Sequence, residues 1–329
     1  MDNNGDRRTC LQGEVSRRRS AFSLIELLTV IFIISLLISI LVPSLSAART
    51  QAKNLKVSAT LNAIGAAMEM FRTENEKEFR VSNGYPPSGL AVDTTETGAE
   101  EIYGAHWLAR MLMGKDLQGF IPRRNVPPSM RNPGAEDEQE FWYDATAYNG
   151  GPLDRGGPYL NPDSVEIRLT RELPGTPPPL SEMSQAALNQ IVLVDVFGYP
   201  ILGYTANPLA RGFLARDVPE SVDTGTFTHE DNVGFTGSTG LPGWDFGAGN
   251  LHPIAKFGFP EPENIADEGE TDSFCYYILD KKAYQSTLDA GVPTVNTTTK
   301  PVRRDSFILI AAGKDALYGS SDDVVNFNR

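Results

Sequence analysis

The longest apolar stretch of the chain covers residues 22–42, where Glu26 is the single charged side chain. As a helix rising about 1.5 Å per residue, this stretch would be about 31 Å long, close to the thickness of a bilayer core. Basic residues precede it, and a basic flank stays in the cytoplasm while the following residues cross the membrane. These basic residues are Arg7, Arg8, Arg17, Arg18 and Arg19. The pattern predicts a transmembrane helix.

A secretory signal peptide is the alternative interpretation of this stretch. A signal peptide has a shorter apolar region, however, and here Pro43 is followed by a segment with helical periodicity. Glu26 needs its own explanation, because a carboxylate inside an apolar transmembrane helix costs about 2.5–3.5 kcal/mol. It either reaches water near the headgroups or meets a positive charge within the membrane.

Beyond Pro43, apolar residues recur every three or four positions and form two offset stripes, which predicts that the helix continues over 43–80. The first stripe contains Leu45, Ala48, Ala52, Leu55 and Ala59. The second contains Val57, Leu61, Ile64, Met68 and Phe71. We interpret the second stripe as a core face against a sheet, and the first half of the helix as a surface for other copies of the chain. Turn residues at 83–87 end the pattern.

The remaining residues, 81–329, predict an α+β domain with long loops. Residues 106–112 predict a short helix. Residues 191–196 and 201–204 predict a hairpin of two strands with a tight turn between them. Residues 274–279 and 306–310 predict two further strands, and 205–304 is interpreted as an insertion of enlarged loops that carries one strand.

Composition limits the possible functions. The formal charge is −13, which argues against a general nucleic-acid binder because phosphate contacts need clustered cations. Cys10 and Cys275 are the two cysteines of the sequence. The three histidines, at 106, 229 and 252, lack the spacing of a metal site. With no other catalytic pattern, the sequence does not predict an enzyme.

Carboxylates cluster near residue 315. Asp315, Asp322 and Asp323 surround a short glycine-containing loop after the predicted strand 306–310. Calcium prefers several carboxylate and carbonyl oxygens in flexible geometry, so this loop is a candidate Ca²⁺ site, with Ser320 as a weaker ligand. A solvated acidic turn is the alternative.

Residues 17–28 read Arg-Arg-Arg-Ser-Ala-Phe-Ser-Leu-Ile-Glu-Leu-Leu. This segment resembles the class III signal of type IV prepilins and type II secretion pseudopilins. The resemblance implies that a prepilin peptidase removes a cytoplasmic leader, residues 1–21, by cutting between Ala21 and Phe22, and that the new Phe22 amine is methylated. It also implies that Glu26 pairs with the N-terminal amine of a neighbouring subunit. The family usually has Gly before the cut, where this chain has Ala21. Loss of the leader would leave Cys275 without a partner for an internal disulfide.

Two other segments resemble the major pseudopilin. Asp195, Gly198 and Pro200 match its Asp-Pro-Trp-Gly-Asn-Pro turn, although Val196 and Phe197 replace the first Pro and the Trp. The loop from Gly313 onward resembles its calcium loop, which implies Asp315 with one or both of Asp322 and Asp323 as ligands.

The resemblance implies a pilin-like fold, in which a long N-terminal helix packs on a small antiparallel sheet. It also implies a structural role. We expect a subunit of a type II secretion pseudopilus, a homo-oligomeric filament built with minor pseudopilins on an inner-membrane assembly platform, with the head in the periplasm. The alternatives are a surface or DNA-uptake type IV pilin, and a membrane-tethered periplasmic binding domain or enzyme that uses the same signal.

Overall fold

The fold is taken from a computed structural model, which describes the chain from Ser23 to Phe327 with gaps. The described residues are 23–77, 79, 82–89, 91–93, 100–122, 125, 141–142, 154–179, 183–208, 210, 226–238, 241–249, 251–255, 274–291 and 300–327. The chain divides into two units, Met1–Thr50 and Gln51–Arg329. Helix α1, Leu24–Asn75, contributes residues to both.

The long N-terminal helix is confirmed. In the first unit its side chains are exposed from Leu24 onward, because no other described element packs on them. The helix contains Pro43, which supplies no backbone N–H to the helical ladder. In the second unit one face of α1 is buried, and this face is the second stripe predicted from the sequence.

The second unit combines short helices with short antiparallel strands, which confirms the α+β class. Its other helices are α2 (Gly104–Met113), α3 (Gln185–Leu188), α4 (Val233–Thr236), α5 (Phe274–Tyr277) and α6 (Lys281–Asp289). Its strands are β1 (Ala91–Asp93), β2 (Glu100–Ile102), β3 (Ile121–Pro122), β4 (Phe141–Trp142), β5 (Glu166–Leu169), β6 (Ile191–Val194), β7 (Leu202–Thr205), β8 (Phe307–Ala311) and β9 (Val324–Val325). Short 3₁₀ turns lie at Pro162–Ser164, Thr170–Glu172, His229–Asn232 and Pro253–Ala255.

Among the sheets that the described residues form, the largest has the order β7-β8-β9, with β8 at its centre. Leu202 pairs with Ile310 and Ala311 with Val324. All five residues of β8 are buried, and they alternate between two hydrophobic clusters. Phe307 and Leu309 belong to the cluster that covers α1, and Ile308 belongs to the other. Strand β8 therefore separates the two cores of the head.

Aromatic rings fill both cores. In the first, the Phe71 ring centroid lies 5.1 Å from that of Phe79 and 5.4 Å from those of Phe120 and Tyr159. In the second, Trp244 is fully buried in the cluster that also contains α4 and α5 side chains. Helix α2 confirms the predicted short helix, and Gly104 lets it approach β7, since a Cβ there would overlap the Gly203 carbonyl.

Two predictions for the head are wrong. The apolar run 274–279, predicted as a strand, forms helix α5, because a short apolar run does not distinguish a strand from a buried helix. The hairpin prediction is correct in its strands and its turn but wrong in the extent of their pairing. The two strands are joined next to the turn, by the Val194–Pro200 bridge and by hydrogen bonds from the Asp195 N–H to the Tyr199 carbonyl and from the Ile201 N–H to the Leu193 carbonyl. Their main ladders lie elsewhere, since β6 pairs with β5 and β7 with β8.

Candidate assembly surface and carboxylate loop

The N-terminal end of α1 holds one predicted site residue. The predicted processing residues, Ala21 and Phe22, lie outside the described residues. Glu26 is in the first turn of α1, where its Oε2 accepts a hydrogen bond of 2.9 Å from the Ser23 backbone N–H. A carboxylate there satisfies a free backbone N–H and faces the positive end of the helix dipole. This local contact was not predicted from the sequence.

The apolar side chains of α1 in the first unit have no cover within the described part of the chain. Phe32 is 66% exposed, and its apolar neighbours along the helix are similarly open to the surroundings. The helix is long and apolar enough to cross a membrane. Because exposed apolar patches of this extent are not stable in water, this segment needs lipid or other protein around it.

In the second unit, α1 carries an exposed stripe opposite its buried face. Leu55 is 66% exposed and Met70 is 55% exposed. Between them, Ala59 and Ala66 are also exposed and continue the helical spacing. Small side chains at such positions allow close approach of another helix. The part of α1 in the second unit therefore has one face in the head core and, opposite it, an exposed stripe of apolar and small side chains that also contains Asn62.

The three carboxylates of the C-terminal loop are close together. Each of Asp315, Asp322 and Asp323 offers one oxygen, and these oxygens lie within 4.8 Å of one another. Ser320 is beside them, since its Oγ donates to Asp322 Oδ1 at 2.5 Å. The four residues named from the sequence are therefore brought together by the fold.

Backbone N–H groups hold these carboxylates in place. Asp322 Oδ2 accepts hydrogen bonds from the N–H groups of Lys314 and Asp315, at 2.8 and 3.1 Å. Asp323 Oδ2 accepts one from Gly319 at 2.7 Å. The Tyr277 hydroxyl also donates to Asp323 Oδ2, at 2.5 Å. Tyr277 is in α5, so the loop is attached to a helix that the sequence did not connect with it.

The carboxylates influence each other's protonation. Burial raises the pKa of Asp315, and the neighbouring Asp322 carboxylate adds to that rise. Burial also acts to raise the pKa of Asp322, but hydrogen bonds from Ser320, Asp315 and Lys314 outweigh it and lower that pKa. A cation among these oxygens would favour the charged form of all three acids.

The turn between β6 and β7 is held by Asp195. Its Oδ1 accepts hydrogen bonds from the N–H groups of Phe197 at 2.8 Å and Tyr199 at 3.0 Å, and Gly198 supplies the left-handed residue with φ of 91°. Burial raises the pKa of Asp195 to about 6, against the effect of these hydrogen bonds. Tyr318, from the C-terminal loop, donates its hydroxyl to the Pro200 carbonyl at 2.5 Å. The two segments that resemble the major pseudopilin are therefore in contact.

Comparison with known proteins identifies the N-terminal segment. Residues 16–42 match the family described as "Prokaryotic N-terminal methylation motif". The chain is similar to the type IV wide pilus major component PilA4 of Thermus thermophilus, with 44% identity over 59 residues. That match spans 18% of this chain and 45% of the relative, which is less than half of the relative's length. No solved structure matches the chain.

The motif and the helix agree with each other. The predicted resemblance to prepilins is confirmed for the N-terminal segment, where a prepilin-type methylation motif includes the start of a long apolar helix. The same two features indicate a protein anchored to a membrane.

Proposed function

We propose that this chain is a structural subunit of a helical filament, with no catalytic activity of its own. The observation that carries the proposal is the open apolar surface of α1, most of which lies within the methylation motif at residues 16–42. In the membrane this surface is solvated by lipid tails. On assembly it packs against the same helix of neighbouring subunits, where van der Waals contact replaces lipid.

Processing precedes assembly in this proposal. The prepilin peptidase cuts between Ala21 and Phe22 and the new amine is methylated, with the leader in the cytoplasm and the head in the periplasm. Mass spectrometry of the membrane-extracted protein tests this step. The expected mature N-terminus is methylated Phe22, and an intact leader in a strain with active peptidase would contradict the proposal.

Glu26 would then pair with the N-terminal amine of a neighbour and set the register between subunits. The hydrogen bond from Ser23 gives the carboxylate a second, local role, and two variants separate the roles. Glu26→Ala removes both, whereas Glu26→Gln keeps an acceptor for Ser23 but removes the charge. We expect both variants to insert in the membrane and both to lose crosslinked multimers. Normal multimers with Glu26→Gln would assign Glu26 to helix capping alone.

The filament is proposed to be a type II secretion pseudopilus, assembled with minor pseudopilins on an inner-membrane platform. Support comes from the turn at Asp195 and from the C-terminal carboxylate loop, which resemble the major pseudopilin. The second candidate is a type IV pilus, which the similarity to a wide pilus component favours. Deletion of the gene distinguishes them. Loss of folded exoproteins from the medium supports the pseudopilus, and loss of sheared surface fibres with normal secretion supports the pilus.

We also propose that the carboxylate loop binds Ca²⁺. The donor set fits this cation, because hydrogen bonds to backbone N–H groups orient hard oxygen ligands of Asp315, Asp322 and Asp323 toward one another. Ser320 is a further candidate ligand. A bound cation would offset the mutual repulsion of the three carboxylates and fix the loop against β8 and α5.

Calcium binding is tested by unfolding the full-length protein in neutral detergent with Ca²⁺ or with chelator. At a hundredfold excess over Kd, Ca²⁺ should stabilise the fold by about 2.7 kcal/mol. Asp315→Ala and Asp322→Asn should each remove most of this difference, whereas the exposed Asp163→Ala should retain it. Identical wild-type curves with Ca²⁺ and chelator would show that the loop is only an acidic turn.

A further inference from the structure

A basic groove lies where the start of α6 meets residues 300–304. Two adjoining cavities, of about 630 and 820 Å³, share Asp280 and Arg303 in their walls and together form this groove. Its cationic lining residues are Lys281, Lys282, Lys300, Arg303 and Arg304. All five are exposed, in a chain whose formal charge is −13.

Backbone pairing brings these cations together from two parts of the sequence. The Asp280 N–H donates to the Lys300 carbonyl and the Val302 N–H donates to the Ile278 carbonyl, each at 2.8 Å. The segment that enters α6 therefore runs antiparallel to residues 300–302. The backbone of the second unit therefore fixes the positions from which these cationic side chains extend.

The two carboxylates in the groove are already engaged. Asp280 Oδ1 accepts the Ala283 N–H at 2.9 Å and caps α6. Asp305 lies 3.3 Å from Arg304 Nε, and both side chains are mostly exposed. Ion pairs of this kind are weak, so Arg304 can exchange Asp305 for another anion. The groove therefore keeps an excess of positive charge.

The two lysines at the start of α6 are at the end of the helix where a positive charge is electrostatically unfavourable. Lys281 and Lys282 occupy the first turn, where the helix dipole is positive and disfavours cations. The dipole and both lysines add to the same positive field at the mouth of the groove. A bound anion would reverse this unfavourable arrangement.

Aromatic rings hold two of the groove cations, and a third ring is part of its wall. Lys281 Nζ lies 4.5 Å from the centre of the Tyr276 ring. Arg303 is held by a hydrogen bond of 2.8 Å to the Asn326 carbonyl and lies over the Phe307 ring at 5.2 Å. Phe327, which is half-buried, forms part of the wall. Phe327 also packs on the second core, with the Tyr277 ring centroid 6.1 Å from its own, so the groove offers fixed cations beside a partly exposed ring.

We propose that the basic groove binds single-stranded nucleic acid, with phosphates on the Lys and Arg side chains and a base against Phe327. Several cations along a concave surface fit a linear polyanion, and the exposed part of the Phe327 ring would add stacking to a base that a duplex hides. The net charge of −13 argues against a protein whose whole surface binds nucleic acid. It is compatible with a local basic groove, which the fold assembles from residues 280–282 and 300–304.

The test uses the full-length protein in neutral detergent and a short fluorescent oligothymidylate, with anisotropy measured over a range of salt. Lys282→Gln with Arg304→Gln should weaken binding and lower the slope of log affinity against log salt by about 1.4, since each phosphate contact on a single strand contributes about 0.7. The matched control, Lys77→Gln with Arg171→Gln, removes the same charge from exposed sites outside the groove and should leave the slope unchanged.

Phe327→Ala tests the stacking contact. Wild type should prefer the oligothymidylate to an abasic strand of equal length by at least about fivefold, and Phe327→Ala should remove that preference. The proposal is overturned by any of three results. These are no binding at low salt, equal weakening by the groove and control variants, and tighter binding to anionic vesicles than to the oligonucleotide. None of these results depends on whether filaments form.

Discussion

Phe32 and Phe71 are on the same helix and have the same side chain, but their surroundings are opposite. Phe32, in the first unit, is 66% exposed, whereas Phe71, in the second, is 0% exposed. Phe71 packs against Phe79, Phe120 and Tyr159, which come from the head of the same chain. Phe32 has no such partner among the described residues. The fold of one chain completes the environment of Phe71, and lipid or other subunits must complete that of Phe32.

The largest expected effect tests this difference directly. Phe71→Ala should destabilise the head by about 3–5 kcal/mol, because it leaves a cavity in an aromatic cluster. Phe32→Ala should change head stability by less than about 0.5 kcal/mol but reduce crosslinked multimers. Urea unfolding in detergent measures the first quantity and crosslinking the second. Equal unfolding curves for the two variants would remove the distinction between the two regions.

The interior of the head also buries a carboxyl group, Asp231, next to the Ser88 hydroxyl. Burial raises the pKa of Asp231 to about 7 from an ordinary value of 3.8. Because the folded state binds this proton more tightly than the unfolded state does, protonation of Asp231 stabilises the fold. The stabilisation is complete below pH 3.8 and is lost as the pH rises to about 7. Asp231→Asn removes the buried charge. Relative to wild type, the free energy of unfolding of Asp231→Asn should therefore increase by up to about 4 kcal/mol between pH 3.8 and about 7.

Two buried histidines also make the stability of the fold depend on pH, but they destabilise it as the pH falls. Burial lowers the pKa of His106 to about 3 and of His229 to about 4, so acidification below pH 6.5 destabilises the fold. Wild type and Asp231→Asn share these histidines, and the difference between their stabilities isolates Asp231. Asp163→Asn, at an exposed site, is the control. A pH-independent difference between wild type and Asp231→Asn would contradict the effect of burial.

The smallest effect on stability is expected at the exposed stripe of α1. Leu55→Gln with Met70→Gln should change the stability of the head by less than about 0.5 kcal/mol, because neither side chain is in the core. If the stripe packs on other subunits, the same double variant should lower the yield of multimers, whereas Asp163→Asn, at an exposed site outside α1, should not. Normal assembly by the double variant would confine the assembly surface to the first unit.

Helix α1 could be predicted from the sequence because its periodicity is long and its apolar run is longer than any soluble element needs. The carboxylate cluster could be predicted because its members are close in the sequence. Helix α5 and strand β5 could not. The first is a short apolar run, and the second, in a Pro-rich region, is recognisable only by its pairing with β6.

The partners of the predicted sites were the hardest to foresee. Tyr277 donates a hydrogen bond to Asp323, and Tyr318 donates one to the Pro200 carbonyl. Tertiary packing brings these groups together, and no local sequence pattern identifies either tyrosine. The basic groove is similar, since its cations come from two segments that only the backbone pairing at Lys300 and Val302 joins. Sequence patterns locate residues along one element, whereas these sites are formed between elements.

The position of β8 has a consequence for the order in which the head can fold. Both cores need β8 residues, and Phe307 shares the first core with Ile64 and Phe71 of α1, which are made much earlier in synthesis. Neither core can close until residue 311 has been translated, so contacts of such long sequence separation delay folding. Until then, the face of α1 that carries Phe71 lacks its partners from β8. The part of α1 in the second unit is therefore synthesised well before the strand that completes its core.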